Sequence, residues 1–305
     1  MMKTMSNLTK RLITGAVLVC IILPLIIWYN DTTDALYGAL MCLCCFGAGY
    51  EILNMLGKKY MTCHKVRFIL PFLSLIVSAL CAIWVKSGFA NIKLIYLIIT
   101  LIISFLIIMS LCIFIPHTNG EEFMGMLTAL IYGGLFLGMA FSIRFVPEEH
   151  IVLKHITLDF RGNQLLLLAF AITLCSDGGG YVAGRLFGKH KLCPLISPKK
   201  TIEGSIGGLL ATAIVATLYI FLRHLISFNN GTRFGIIILV LAIVLVLSIL
   251  SMLGDLIASL LKRHYDIKDY SQIFPGHGGI LDRFDSLIPV GMSLLMIVLI
   301  LVFLA

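Results

Sequence analysis

Asp255, Ser259 and Lys262 recur at i, i+4 and i+7, which would bring a carboxylate, a hydroxyl and an ammonium to one face of a helix whose other face is leucine-rich. A polar stretch, 264–281, follows and contains Pro275, Gly276, His277, Gly278 and Gly279. Two adjacent glycines allow consecutive amides to point at an anion and let a phosphate approach without a side-chain clash, and His277 beside them can donate to it. Asp282 and Asp285 stand at i and i+3 where the last apolar run begins, so both carboxylates can face one way, with Arg283 between them turned elsewhere. Carboxylates converging on a phosphate repel it unless a divalent cation lies between them. Few protein carboxylates, with the remaining coordination supplied by substrate phosphates, is the habit of magnesium. Asp255 and Asp282 are the expected ligands, provided their helices are neighbours. Taken singly, each piece has a plainer reading: an interfacial helix end with Lys262 and Arg263 as anchors, a Gly-Pro turn, acids complementing a helix dipole.

A further cluster runs from Asp177 through Tyr181, Arg185 and Lys189 to Ser197, Pro198, Lys199, Lys200, Thr201 and Glu203. Thr201 is the expected N-cap of the next helix, so Lys199 and Lys200 would lie beside a positive helix N-terminus, a place for phosphate. Lysines that merely set membrane orientation are the competing explanation. Asp177 interrupts an apolar run; an ionisable group there usually faces the protein interior, with Arg185 or another basic group of these loops as partner. Gly178, Gly179 and Gly180 would permit close helix packing. Glu51 is similar to Asp177 but isolated, and reads as structural.

The elements that must hold these groups are membrane helices. The 305 residues are 60% hydrophobic and 12% charged, with a mean hydropathy of +1.05, which excludes a soluble domain of ordinary make-up. Nine runs approach the roughly 20 apolar residues that cross hydrocarbon as a helix: 12–29, 35–56, 68–85, 94–115, 123–143, 164–183, 205–222, 234–261 and 286–305. The expected fold is all-α and polytopic, with about nine spans. Their length argues against a β-barrel, and the first run is too long, and lacks a nearby small-residue cleavage site, for a signal peptide. The cysteines lie mostly within spans, as reduced packing residues. Residues 1–122 would form a scaffold of helices one to four, and 123–305 a catalytic region of helices five to nine with loops 184–204 and 262–285. The stretch 142–163 is long enough for a small extramembrane element.

The net charge of +8 gathers in short loops, so it speaks for membrane orientation rather than nucleic acid. Lys3, Lys10 and Arg11, then Lys58, Lys59, Lys65 and Arg67, place the N-terminus and the second loop in the cytosol, and alternation then brings 184–204 and 262–285 to the same side. Polarity gathered at one end argues against a transporter, whose site would lie near the midplane between related halves.

Ser259, Leu261, Lys262, Arg263, Lys268, Asp269, Ser271, Phe274, Pro275, His277, Gly278, Gly279, Ile280, Asp282, Arg283, Phe284 and Asp285 together resemble the signature of the phosphatidate cytidylyltransferase family, across 27 positions. Ser197–Gly204, SPKKTIEG, resembles a second family motif. The resemblance implies a multi-helix membrane enzyme, CTP and phosphatidate from the bilayer as substrates, magnesium with a potassium ion beside it, a homodimer, and metal-binding roles for Asp255 and Asp282. On that reading a phosphatidate phosphate oxygen attacks the α-phosphorus of CTP and pyrophosphate leaves. Lys262, Arg263, Asp285, His277 and Asp177 would serve the reaction. Ser197, Lys199, Lys200, Thr201, Ser259, Lys268, Gly278, Gly279 and Arg283 would contact substrate. A CTP-dependent lipid kinase, releasing CDP, is the alternative enzyme. A bacterial cytoplasmic membrane is the expected location.

Overall fold

The computed structural model of the chain describes residues 7–60, 66, 68–115, 118–153, 156–228, 233–274, 276 and 278–304. Helix dominates at 77%, and eight of the described helices are long and apolar enough to cross a membrane. Within the first expected span, helix α1 (Asn7–Ile27) contributes a shorter apolar stretch, Gly15–Ile27.

The chain divides into two compact units. The first comprises residues up to Phe145 together with Leu261–Phe284, so the loop that carries the glycines belongs with the N-terminal helices. Beyond α1 it contains α2 (Asp31–Gly57), α3 (Ile69–Lys86), α4 (Asn91–Phe114) and α5 (Gly120–Phe145). Asn30 caps α2, its side chain accepting from Thr33 N while the Thr33 hydroxyl accepts from Asn30 N. Along α5 the winding changes to a π-helix over Ala129–Phe136. In that stretch a Cβ on Gly133 would lie 2.9 Å from the Gly49 amide nitrogen of α2, and one on Gly134 would lie 2.8 Å from Ser74 Cα of α3. Small residues thus let three backbones meet, as in membrane helix packing generally.

One end of this unit is tied by charge. Arg144, fully buried, donates through Nη1 to Asp34 Oδ1 at 3.0 Å and through Nη2 to Trp28 O at 2.8 Å, while Lys86 reaches Asp34 Oδ2 at 3.2 Å. The guanidinium also lies 4.9 Å from the Tyr29 ring centroid. A buried cation needs such partners, since an unpaired charge in an apolar interior is costly.

The second unit, Val146–Leu260 with Asp285–Ala305, contains α6 (Gly162–Phe187), α7 (Ile202–Leu222), α8 (Arg233–His264) up to Leu260, and, after the one-turn helix α9 (Leu281–Phe284) of the first unit, α10 (Leu287–Leu304). The expected extramembrane element is a small sheet: β1 (Glu149–Leu153) pairs antiparallel with β2 (Ile156–Phe160). Between these and α7's far end comes a second ribbon, β3 (Lys191–Cys193) with β4 (Ser197–Thr201). A third strand, β5 (Ile226–Phe228), then joins β2 on the first sheet. Two helices, α6 and α7, separate the sheet's two chain segments, which fixes both segments at the same end of that pair. Among the described residues the cysteines are free thiols; Cys45 and Cys81 are buried, whereas Cys20 is exposed.

Candidate active site

Helices α6 and α7 pack backbone to backbone. A Cβ on Gly204 would stand 2.8 Å from Gly180 O and one on Gly179 2.5 Å from Ala211 Cβ, so the glycine run does permit close packing at Gly179 and Gly180; Gly178 faces open space. Thr201 caps α7 as expected, its Oγ1 accepting from Gly204 N at 3.1 Å. The junction of β4 with α7 thereby brings Lys199 and Lys200 to the end of the helix pair.

There the second unit has a cavity of about 390 Å³, lined among others by Asp177, Arg185, Lys199, Lys200, Thr201 and Asp255. Lys200 Nζ is 2.6 Å from Asp255 Oδ2, and Ser259 donates to Asp255 Oδ1 at 3.4 Å. Arg185 Nη1 donates to the Tyr181 hydroxyl at 3.2 Å. Asp177 accepts from Ser286 Oγ at 3.5 Å, and Ser286 N donates to Asp285 Oδ1 at 2.7 Å. Three cations against two carboxylates leave the lining with an excess positive charge. Ser176, Ser205 and Ser286, which sequence reasoning did not single out, contribute hydroxyls here or beside Asp177; nothing in their spacing distinguishes them from other serines in apolar runs.

The first unit holds the other group of candidate residues. Lys262 Nζ lies 2.7 Å from Asp282 Oδ1, with both side chains nearly buried. Asp282 Oδ2 accepts from Tyr270 N at 2.8 Å and from Gly279 N at 2.9 Å. Gly278 N donates to Phe274 O at 3.1 Å. Within the loop, then, the anion met by the Gly279 amide is the protein's own carboxylate. Gly278 has φ +82°, a conformation that favours glycine. Arg263 Nη1 reaches Ile267 O at 3.3 Å, while Lys268 and Arg283 are exposed and Ser197 is half-buried. His277 lies outside the described residues. Asp282 sits on the one-turn α9 and Asp285 on the connection after it, so the single helix start expected for both is divided in two.

The reading of Glu51 as isolated does not hold. Fully buried on α2, it accepts from Ser271 Oγ at 2.5 Å, Ile280 N at 2.8 Å and Leu281 N at 3.0 Å. Its partners are more than 200 residues away in sequence, which no local pattern could announce.

Residues 9–301 match the Cytidylyltransferase family. The chain belongs to that family. A phosphatidate cytidylyltransferase of Staphylococcus haemolyticus (strain JCSC1435) is 34% identical to it over 276 residues, covering 90% of this chain and 93% of that protein. Proteins of the same name from Staphylococcus saprophyticus and Staphylococcus aureus (strain COL) are 46% identical over 125 residues, 41% of this chain and 45% of each of theirs. This cytidylyltransferase is thus an integral membrane protein by its helices, with its candidate residues gathered around two described centres: the cavity of the second unit and the Lys262–Asp282 pair of the first.

Proposed function

We propose that this family member transfers the cytidylyl group of CTP to phosphatidate, forming CDP-diacylglycerol and pyrophosphate. The observation that carries the proposal is the cavity, in which Arg185, Lys199 and Lys200 outnumber Asp177 and Asp255 at the end of two apolar helices. Such a place suits a lipid whose phosphate reaches the cations while its acyl chains stay in the bilayer. Lys199, with no ion pair among the described residues, has its charge available for a substrate phosphate.

A phosphomonoester already carries about −1.5 to −2 charge near neutrality, so its oxygen needs no strong base to become nucleophilic. What the protein must supply is alignment of that oxygen with the α-phosphorus and neutralisation of two anionic substrates. Lys199, Lys200 and Arg185 neutralise phosphate charge in the cavity, Lys262 and Arg263 do so beside the glycine loop, and Asp177, on the cavity lining, is linked through Ser286 to Asp285.

Magnesium belongs to the proposal, on Asp255 and Asp282. Among the described residues there is no cluster of three or more His, Cys, Asp or Glu. Asp255, with the Ser259 hydroxyl beside it, fits an ion that takes most of its coordination from water and phosphate oxygens. When bound, it supplies charge neutralisation on the CTP phosphates. The potassium ion, the homodimer, the cytosolic face for both centres and a bacterial cytoplasmic membrane are carried with the same proposal.

Detergent-purified protein incubated with phosphatidate, magnesium and CTP labelled at the α-phosphate tests it. Label in extractable lipid with matching pyrophosphate, lost on chelation and restored by magnesium, is the expected result. CDP release with a polyprenol and no labelled lipid would replace it with a lipid kinase.

A further inference from the structure

We propose that Glu51 is a positioning residue for the glycine-bearing loop, and that with Asp282 it forms a two-carboxylate clasp closing the base of residues 270–281. The clasp itself stands on geometry; its effect on turnover rests on the reaction proposed above.

The two carboxylates take hold of both ends of the loop. At Asp282 Oδ2 the incoming strand gives Tyr270 N (2.8 Å) and the returning strand gives Gly279 N (2.9 Å). At Glu51 the incoming strand gives the Ser271 hydroxyl (2.5 Å) and the returning strand gives Ile280 N (2.8 Å) and Leu281 N (3.0 Å). Three consecutive amides, 279 to 281, therefore each end on a carboxylate. Nearer the tip, Phe274 and Gly278 exchange both backbone hydrogen bonds, at 2.9 and 3.1 Å. The segment is pinned at two levels, and the carboxylate that pins one of them also holds Lys262 at 2.7 Å.

Glu51 is not required for α2 to span a membrane; a leucine there would serve that purpose better, and a buried acid in an apolar helix is costly without donors. All of its observed donors come from this loop. The loop is in turn shaped to admit it. A Cβ on Gly279 would lie 2.7 Å from Glu51 Cδ, and in closer contact still with Oε1, so glycine at 279 is what allows the carboxylate to reach the next two amides. Each side of the contact explains the residue on the other.

The test is amide hydrogen exchange with mass spectrometry on the full-length protein in detergent, alongside steady-state kinetics. Glu51→Gln replaces one acceptor oxygen by a donor facing N–H groups. It should raise exchange at 280 and 281 by about tenfold or more, as expected for loss of a buried hydrogen bond to a charged group, while peptides of α6 and α7 stay as protected as in the wild type. kcat should fall by about tenfold or more with the KM for CTP within about twofold, because Glu51 holds the loop and does not touch nucleotide. Ser271→Ala, which removes a single bond to Oε1, should give a smaller rise confined to the same peptides, and serves if Glu51→Gln does not fold. Unchanged exchange at 280 and 281 in both variants would overturn the clasp. A rise spread equally over α6 and α7 would overturn the positioning role in favour of general stability. If wild-type protein transfers no cytidylyl group, the reaction fails while the exchange results still decide the clasp.

Discussion

Gly204 on α7 is where a single methyl group should do most damage for its size. Its Cβ would lie 2.8 Å from Gly180 O, 2.9 Å from Thr201 Oγ1 and 3.2 Å from Gly184 Cα, whereas ordinary van der Waals contact begins at 3.4 Å. Two of the three obstacles are backbone atoms of α6, which no rotamer change can remove. In Gly204→Ala the two helices must therefore part by about 0.6 Å, the difference between 3.4 and 2.8 Å. Overpacking of this kind costs about 1–3 kcal/mol. Gly180, Gly184, Thr201 and Gly204 all line the cavity, so the same parting displaces Lys199 and Lys200 relative to Asp177. Misplacement by about 1 Å can cost about 100-fold in rate, and 0.6 Å should cost on the order of tenfold. The assay is the initial rate of label transfer from CTP to lipid, with thermal unfolding in the same detergent; kcat/KM should fall about tenfold and the melting temperature by several degrees. Gly178→Ala is the control, since its Cβ would meet nothing within 4 Å, and alanine is the better helix former by about 1 kcal/mol. It should be neutral or slightly stabilising. Equal effects at 178 and 204, or wild-type behaviour of Gly204→Ala, would refute the close-packing argument.

Asp34→Asn leaves the fully buried Arg144 guanidinium without its carboxylate; breaking a buried pair costs about 3–5 kcal/mol. Thermal unfolding should shift down markedly while the KM for CTP stays unchanged, and a double change of Asp34 and Arg144 to leucine should recover part of the loss. Lys199→Glu should raise the KM for CTP by about tenfold at low salt, with the difference shrinking as ionic strength rises; a salt-independent effect would speak against charge attraction. Asp282→Asn removes the charge that Lys262 pairs with at Oδ1, and leaves only one acceptor oxygen for Lys262 on one side and Tyr270 N and Gly279 N on the other. Transfer should drop at least about tenfold in protein that still expresses, and intact activity would dismiss both the loop role and the metal role of this residue.

Hydropathy made the membrane helices legible because a 20-residue apolar run has few other uses, and the cap at Thr201 was legible because capping is local chemistry. That the stretch between α5 and α6 forms a small element of its own could be expected from its length, yet the sheet's third strand, Ile226–Phe228, could not. Three residues carry no periodicity, and strand pairing across two intervening helices leaves no mark on either segment alone. The same holds for charge. Asp255 pairs with Lys200 across 55 positions, and Asp34 with Arg144 across 110. Composition shows that such groups must find partners without saying which.

Glu51 and Asp282 show where that boundary lies. Motif reading gave Asp282 a role because the surrounding residues form a dense, recognisable pattern, and it assigned the adjacent glycine amides to an external anion because that is what exposed amides do. The fold instead brings in a second carboxylate from α2, and amides 279 to 281 close on Asp282 and Glu51. Spacing within the motif could not reveal this, since the deciding residue lies outside it by more than 200 positions in a helix that reads as scaffold. A charged residue in an apolar span with no local partner is therefore better treated as half of a pair. Its other half should be sought among the N–H groups and cations of loops that the fold could bring to that depth, because an acid left without donors there would weaken the helix that carries it.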